Sequence, residues 1–147
     1  MTHHKKVIQF SLAARWSFRD FQFSEHSNPI EDWYRSLSEE GHSQFDALLK
    51  VNQKTDLPIH WIGFRKFLEG ELKRERIWEL EFQADKRQYR LLGKFGGIRK
   101  QAIILIGCYH KGKVYTPADA LEQAYKRARL LAEGRAMTCG RAIREDI

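Results

Sequence analysis

The chain has 147 residues, the size of one domain, and 42% of them are hydrophobic, which is enough for a folded core. Its formal net charge of +7 favours a polyanionic partner, because a basic surface attracts nucleic acid or another acidic polymer. No apolar run approaches the roughly 20 residues that span a bilayer, and the N-terminal sequence lacks the apolar core of a signal peptide. These features predict a cytoplasmic protein that does not bind a membrane.

The first half of the chain predicts a strand region followed by two helices. Lys6–Phe10 can form a short strand, and the aromatic sequence RWSFRDFQF changes its alternation phase, which indicates a bent strand. Asn28 and Pro29 are typical of a helix start, and SNPIEDWYRSL then repeats apolar residues at helical spacing. Gly41 interrupts that pattern, after which SQFDALLKVNQK predicts a second helix. Residues 59–76 show no clear periodicity and are interpreted as a loop.

The second half predicts a three-stranded antiparallel meander followed by a helix. IWELEFQ alternates apolar and polar residues, QYRLLGKF forms the next strand, and QAIILIGCYH is apolar on both sides, as a central strand should be. TPADALEQAYKRARLLAEG predicts a helix with Thr116 as its cap and Pro117 in the first helical position. Residues 135–147 are expected to form a loosely ordered tail.

The grouping of strands apart from helices predicts an α+β fold. We expect a small antiparallel sheet of three to four strands, with the N-terminal helices and the C-terminal helix packed on one face of it. A single domain is expected to cover residues 1–147, with its core at about residues 5–134.

An ordered set of motifs resembles the phage-derived branch of the RelE/HigB-like toxin superfamily. The helix opening NPIEDWYRSL is followed by IWELEF, QYRLLGKF, AIILIGCYHKGK and a helix that begins with TP, all between about Phe21 and Glu133. The resemblance implies a RelE-like fold and a type II toxin encoded beside an antitoxin, expected to be a helix-turn-helix protein. Relatives cut mRNA, commonly on the ribosome, without a metal ion. In that reaction the 2′-hydroxyl attacks the adjacent phosphate, and basic side chains stabilise the charge that develops.

Four residues are candidates for the catalytic centre that this resemblance implies. Arg90 occupies the arginine of the YR motif, which contacts the scissile phosphate in RNA-cleaving relatives. His110 lies where relatives place the acid that protonates the leaving 5′-oxygen, and Lys111 follows it. Glu81 is a candidate for the base, although relatives have lysines in part of this strand. A cross-strand ion pair between Arg90 and Glu81 would instead explain both residues as structural.

Five further residues are candidates for holding the RNA. Each basic side chain would add salt-sensitive affinity through a phosphate contact without reading the base sequence, or would simply be a solvated charge. The tyrosine among them can stack on a base or pack against the protein. The candidates are Lys94, Arg99, Lys100, Lys113 and Tyr115.

The cysteines and histidines show no metal-binding pattern. Cys108 and Cys139 match no zinc or redox motif, and the six histidines lack HExxH spacing, so we expect neither a metal ion nor another cofactor.

The alternative hypothesis is a non-catalytic phage-derived protein on the same fold, which binds nucleic acid or a host protein such as DNA gyrase. An inactive toxin fold is a third hypothesis. A close approach of Arg90 and His110 with a free face between them would favour the enzyme. Complete pairing of Arg90 with Glu81 would favour the binding protein.

Overall fold

A computed structural model gives the structure of the protein and describes residues 16–68, 76–97 and 100–144. The strands are β1 (Ser17–Gln22), β2 (Phe64–Phe67), β3 (Trp78–Ala84), β4 (Arg87–Phe95), β5 (Gln101–Lys111), β6 (Val114–Thr116) and β7 (Met137–Gly140). The helices are α1 (Pro29–Arg35), α2 (Glu39–Asn52) and α3 (Ala120–Ala132), with a 3-10 turn at Pro58–His60. None of the described helices is both long enough and apolar enough to cross a membrane.

The sheet is larger than the sequence predicts, and it is mixed. The predicted antiparallel meander is present as β3, β4 and β5. However, the full order is β2-β3-β4-β5-β1-β7, with β6 paired to the end of β5, and β1 runs parallel to β5. The prediction of a small antiparallel, RelE-like sheet of three to four strands is therefore wrong. The added strands β2 and β7 have only four residues each, too short for a clear alternation pattern.

Helices cover both faces of this sheet, and the prediction that they share one face is wrong. Asp20 and Phe21 are neighbours in β1, so their side chains lie on opposite faces. Asn28, the cap of α1, donates a hydrogen bond to Asp20, whereas Arg127 of α3 lies over the ring of Phe21. The central strand β5 is buried from Ala102 to Cys108, so its side chains need cover on both faces.

The start of α1 is as predicted, but the start of α2 is earlier than predicted. The side chain of Asn28 accepts hydrogen bonds from the amides of residues 30 and 31, and Pro29 occupies the first helical position. In α2, Ser38 is the cap and accepts from the amide of Gly41. Gly41 therefore lies inside the helix instead of breaking it. It is buried, and an added Cβ would lie 2.9 Å from Cβ of Leu37.

The predicted cap of the last helix is wrong. Thr116 ends β6, where it pairs with Tyr109, and α3 begins at Ala120. The inward face of this helix consists of small side chains, because Ala120, Ala124 and Ala128 are fully buried.

The predicted loose tail contains ordered structure. Met137–Gly140 forms β7, which pairs antiparallel with β1 at the edge of the sheet. Arg141 then places Nη1 3.1 Å from Oδ2 of Asp20 and also contacts Glu31. Residues 59–76, interpreted as a loop, include β2. The predicted strand Lys6–Phe10 lies outside the described residues.

Candidate nucleic-acid interface

Two tight hairpin turns lie at the same end of the sheet. Asp85 and Lys86 join β3 to β4 with φ angles of 53° and 61°, which is typical of a two-residue turn between antiparallel strands. Gly112 and Lys113 join β5 to β6, and Gly112 has a φ of 68°. Because the start of β4 pairs with the end of β5, the two turns are neighbours in space.

A basic cleft of about 420 Å³ lies between these turns. Lys86, Arg87 and Lys111 line it with exposed side chains, and His110 lines it as a half-buried one. No Asp or Glu is among its lining residues in the part of the chain that the structure describes. Several exposed cations around one concave site attract a polyanion, and phosphate in particular. The other lining residues are Gln88, Tyr109 and Gly112.

The carboxylate nearest in sequence to the basic cleft is held by the start of α2. Ser38 donates a hydrogen bond to Oδ2 of Asp85, and the backbone amide of Asp85 donates to Glu40. These bonds tie Asp85 to the helix, while Lys86, next in the same turn, lines the cleft.

Arg87 is oriented by an aromatic ring. Its Cζ lies 4.3 Å from the centroid of the Tyr109 ring, a cation–π contact. Arg87 and Tyr109 lie on neighbouring strands at the cleft end of the sheet. A guanidinium is planar and presents its donors as a rigid fork, which suits two-point binding of a phosphate.

Arg90 is not the exposed phosphate ligand that the sequence predicts. Only 4% of its surface is exposed, its Nε lies 3.0 Å from Oε2 of Glu79, and its Nη1 lies 2.8 Å from Oε1 of Glu81. The predicted cross-strand ion pair with Glu81 is confirmed. Because two carboxylates surround one guanidinium, Arg90 offers no net positive charge to RNA.

His110 does lie beside Arg90, but the space between them is not free. Nη2 of Arg90 is 3.4 Å from Nδ1 of His110, and the ring of Tyr115 meets the imidazole at 4.4 Å between centroids. Since a guanidinium only donates, Nδ1 accepts, and we assign the hydrogen of the neutral ring to Nε2. This Nε2 is buried, without a hydrogen-bond partner among the described residues. The pKa of His110 lies below its usual value, because burial and the charge of Arg90 disfavour the imidazolium.

Tyr115 belongs to the same buried cluster. Its hydroxyl donates to Oε2 of Glu79 at 3.0 Å, and its pKa is raised because burial and the Glu79 charge disfavour the phenolate. The packing alternative for Tyr115 therefore fits the structure better than a stacking role.

Glu81 and Lys111 are separated in the structure. Lys111 is exposed and lines the basic cleft. Glu81 is half-buried, contacts Arg90, and has Oε1 3.5 Å from Nη1 of Arg65. Glu81 is therefore engaged by two arginines and lies apart from the cleft that Lys111 lines.

The predicted RNA-binding residues do not form one surface. Lys94 lies at the end of β4 opposite the basic cleft, and Lys100 at that same end places Nζ 2.6 Å from Oδ1 of Asp56. Lys113 is exposed in the turn beside the cleft without lining it. Arg99 lies outside the described residues.

Five residues that line the cleft are absent from the predicted site: Lys86, Arg87, Gln88, Tyr109 and Gly112. A signal for them is present in the sequence, because consecutive hairpins of a meander place alternate turns at the same end of the sheet. The ADKR and HKGK segments are two such turns, and both are basic.

No family model, curated protein or solved structure matches the chain. Within the described residues, the fold is a mixed sheet of seven strands with a basic cleft at one end of it. The resemblance to RelE/HigB-like toxins stays a prediction.

Proposed function

We propose that the protein binds RNA in the basic cleft and cleaves it without a metal ion, as the toxin of a type II toxin–antitoxin pair. The convergence of Lys86, Arg87, His110 and Lys111 on one cleft whose described lining holds no carboxylate supports the RNA-binding part of this proposal. The cleavage and toxin parts are supported by the resemblance of the motifs to RelE/HigB-like toxins. An RNA backbone supplies closely spaced phosphates, and each neutralised phosphate releases a counterion. The proposal includes mRNA, on the ribosome or free, and a helix-turn-helix antitoxin as partners.

In this proposal Arg87 and Lys111 take the role that the sequence assigned to Arg90. Both are exposed at the cleft, and Cζ of Arg87 lies over the ring of Tyr109. Their charges would stabilise the extra negative charge on phosphorus-bound oxygens as the 2′-oxygen attacks. Arg90 is then a positioning residue, because its Nη2 approaches Nδ1 of His110.

His110 is the proposed general acid. Attack forms the bond from the 2′-oxygen to phosphorus and breaks the bond to the 5′-oxygen, which gives a 2′,3′-cyclic phosphate and a 5′-hydroxyl. Protonated His110 gives its proton to the departing 5′-oxygen, and solvent takes the proton of the 2′-hydroxyl. Because the pKa of His110 is lowered, cleavage should accelerate as the pH falls towards that pKa.

A second candidate function is nucleic-acid binding without cleavage. The burial of the proposed acid favours this candidate, because Nε2 of His110 is buried and Nδ1 faces Arg90. Arg90 is itself engaged by Glu79 and Glu81. The basic cleft would still hold a phosphate backbone, so the two candidates share a binding surface and differ in the chemical step.

Two measurements on the same variants separate these candidates. Primer extension on mRNA from expressing cells detects cleavage, and fluorescence anisotropy with a single-stranded RNA detects binding. The toxin hypothesis expects new RNA ends with the wild type, and ends lost but binding retained with His110→Asn. Binding without new ends supports the second candidate, and the absence of both overturns the assignment of the cleft. A third variant, Lys111→Gln, removes one cation of the cleft. Its control is Lys126→Gln, because Lys126 is an exposed lysine of α3.

A further inference from the structure

A second cavity, of about 250 Å³, adjoins the basic cleft and has aromatic walls. Trp33 at the end of α1 lines it together with Tyr89 and Tyr109 of the sheet. Gly107 lies beneath the Trp33 ring, where an added Cβ would be 2.3 Å from ring carbons. The missing side chain at Gly107 therefore lets the helix approach the sheet and shapes this cavity, which we call the aromatic pocket.

The rings of the aromatic pocket meet at their edges. Trp33 and Tyr89 lie 6.2 Å apart at an interplanar angle of 75°, and Tyr89 and Tyr109 lie 6.0 Å apart at 69°. Edge-to-face contacts of this kind are a preferred arrangement of aromatic pairs, whereas Tyr89 is stacked on Phe82 at 5.1 Å and 16°. Hydroxyl-bearing side chains at Ser36 and Thr116 also line the pocket.

The aromatic pocket and the basic cleft share two residues, Arg87 and Tyr109. A ligand that fills both would place an anionic group beside Lys86 and Lys111 and a flat apolar group near Trp33. A nucleotide unit joins a phosphate to a flat base, so it carries both of these groups. The shared Arg87 suits that junction, because a guanidinium can bind phosphate and also stack on a base.

We propose that the aromatic pocket binds one unpaired nucleobase while the basic cleft holds the adjoining phosphate, so that single-stranded RNA is the ligand class. This inference rests on the proposed RNA binding and adds the requirement for a free base. Bases in a duplex are paired and stacked on their neighbours, and cannot enter a pocket between a helix and a sheet. Aromatic rings accept any base, so the pocket selects for strandedness more than for sequence.

The test compares a single strand with a base-free chain and with a duplex. A short 2′-O-methyl oligouridylate is measured against a sugar-phosphate chain of equal length without bases and against a 2′-O-methyl duplex. The 2′-O-methyl group removes the attacking hydroxyl, so cleavage cannot disturb the equilibrium. We expect the wild type to bind the base-containing single strand about tenfold more tightly than either comparison molecule.

Variants then assign the preference to the aromatic pocket. Tyr109→Leu removes the ring and keeps apolar bulk, and Ser36→Trp fills the pocket from its exposed rim; each should abolish the preference for bases. Arg87→Gln should weaken binding of all three molecules. The matched control is Tyr125→Leu, since Tyr125 is a half-buried tyrosine of α3 that also carries a stacked arginine, Arg129, at 4.8 Å.

The outcomes separate this inference from the proposed function. Equal wild-type affinity for the base-containing and base-free chains would contradict base binding in the aromatic pocket, but it would leave the proposed phosphate binding intact. Base binding in the pocket is also contradicted if Tyr109→Leu and Ser36→Trp both keep the wild-type preference for the base-containing strand. Failure of the wild type to bind any of the three molecules would overturn the RNA-binding proposal itself.

Discussion

Nε of Arg90 lies 3.0 Å from Oε2 of Glu79, and both side chains are almost completely buried. Removing one partner of a buried ion pair leaves the other charge uncompensated, which typically costs ~3–5 kcal/mol. We therefore expect Arg90→Ala to lower the free energy of unfolding by an amount in that range, measured by urea denaturation.

Arg35→Ala is the control for this prediction. Nε of Arg35 lies 2.8 Å from Oε2 of Glu31, but the arginine is mostly exposed, so its loss should cost less than ~1 kcal/mol. Wild-type stability of Arg90→Ala together with lost RNA binding would contradict the structural role and restore Arg90 as a phosphate ligand.

The basic cleft should determine the salt dependence of RNA binding. Lys86→Gln and Lys111→Gln each remove one exposed cation that lines it. Each should weaken binding for all sequences and reduce the slope of log affinity against log salt by about one. Lys100→Gln, at the opposite end of the sheet and paired with Asp56, should change neither quantity. Titrations at several salt concentrations measure both quantities. A larger effect from Lys100→Gln than from Lys111→Gln would show that RNA binds at the opposite end of the sheet.

The meander could be predicted from the sequence because its pattern is local. The alternation in β3 and the apolar run in β5 are visible within single segments. The pairing of β1 with β5 joins Ser17 to Gln101, which are far apart in the chain, and parallel pairing leaves no hairpin turn to mark it. The predicted sheet therefore lacks the part formed by β1 and β7, whose pairings depend on such long-range contacts.

Only the part of the candidate site that depends on a local sequence pattern could be predicted. The ADKR turn fixes the register that places Glu81 opposite Arg90, and that pair is present. The burial of Arg90 depends on Glu79 and on Tyr115, which reaches Glu79 from β6. No local sequence pattern indicates that Glu79 and Tyr115 cover Arg90. This arginine, predicted to be exposed, is therefore buried.

The free energy of unfolding should decrease as the pH is lowered through the range in which His110 is protonated in the unfolded chain but not in the folded protein. An unfolded histidine binds its proton near pH 6.5, whereas burial and Arg90 lower the pKa of His110 in the folded protein. The unfolded state therefore binds more protons in this interval, and stability is lost as the pH drops from about 6.5 to the folded pKa. The contribution of neutral His110 to stability is fully present above about pH 6.5.

His110→Gln should flatten this pH dependence in urea denaturation measured between about pH 8 and about pH 5. The groups whose charges act on His110 are Arg90, Glu79, Arg65 and Glu81. His26→Gln is the control, because His26 is almost fully exposed. Equal slopes for the wild type and His110→Gln would contradict the prediction.

Gly107 should not tolerate a side chain. A Cβ at this position would lie 2.3 Å from carbons of the Trp33 ring, so Gly107→Ala must displace α1 or the tryptophan. We expect a loss of ~1–3 kcal/mol in the free energy of unfolding. Gly140→Ala is the matched control, because a Cβ there meets nothing within 4 Å, and it should stay within about 0.5 kcal/mol of the wild type. Equal destabilisation by the two alanines would show that Trp33 does not pack on Gly107.

The C-terminal segment should contribute to stability through Arg141. Its Nη1 lies 3.1 Å from Oδ2 of Asp20, and both side chains are mostly buried. Burial raises the pKa of Asp20 even though Arg141 partly offsets this effect, so Asp20 without Arg141 would be still harder to ionise. We expect Arg141→Ala to lower the free energy of unfolding by ~3–5 kcal/mol at neutral pH.

The deficit of Arg141→Ala should shrink as the pH falls, because a protonated Asp20 no longer needs a cation. Arg135→Ala removes an exposed arginine whose partner is Glu133 at 3.4 Å, and should have little effect at any pH. Urea denaturation of both variants at neutral and acidic pH makes the comparison. A deficit for Arg141→Ala that is the same at every pH would mean that the arginine stabilises β7 through its contacts with the rings of Tyr34 and Phe45 and not through the charge of Asp20.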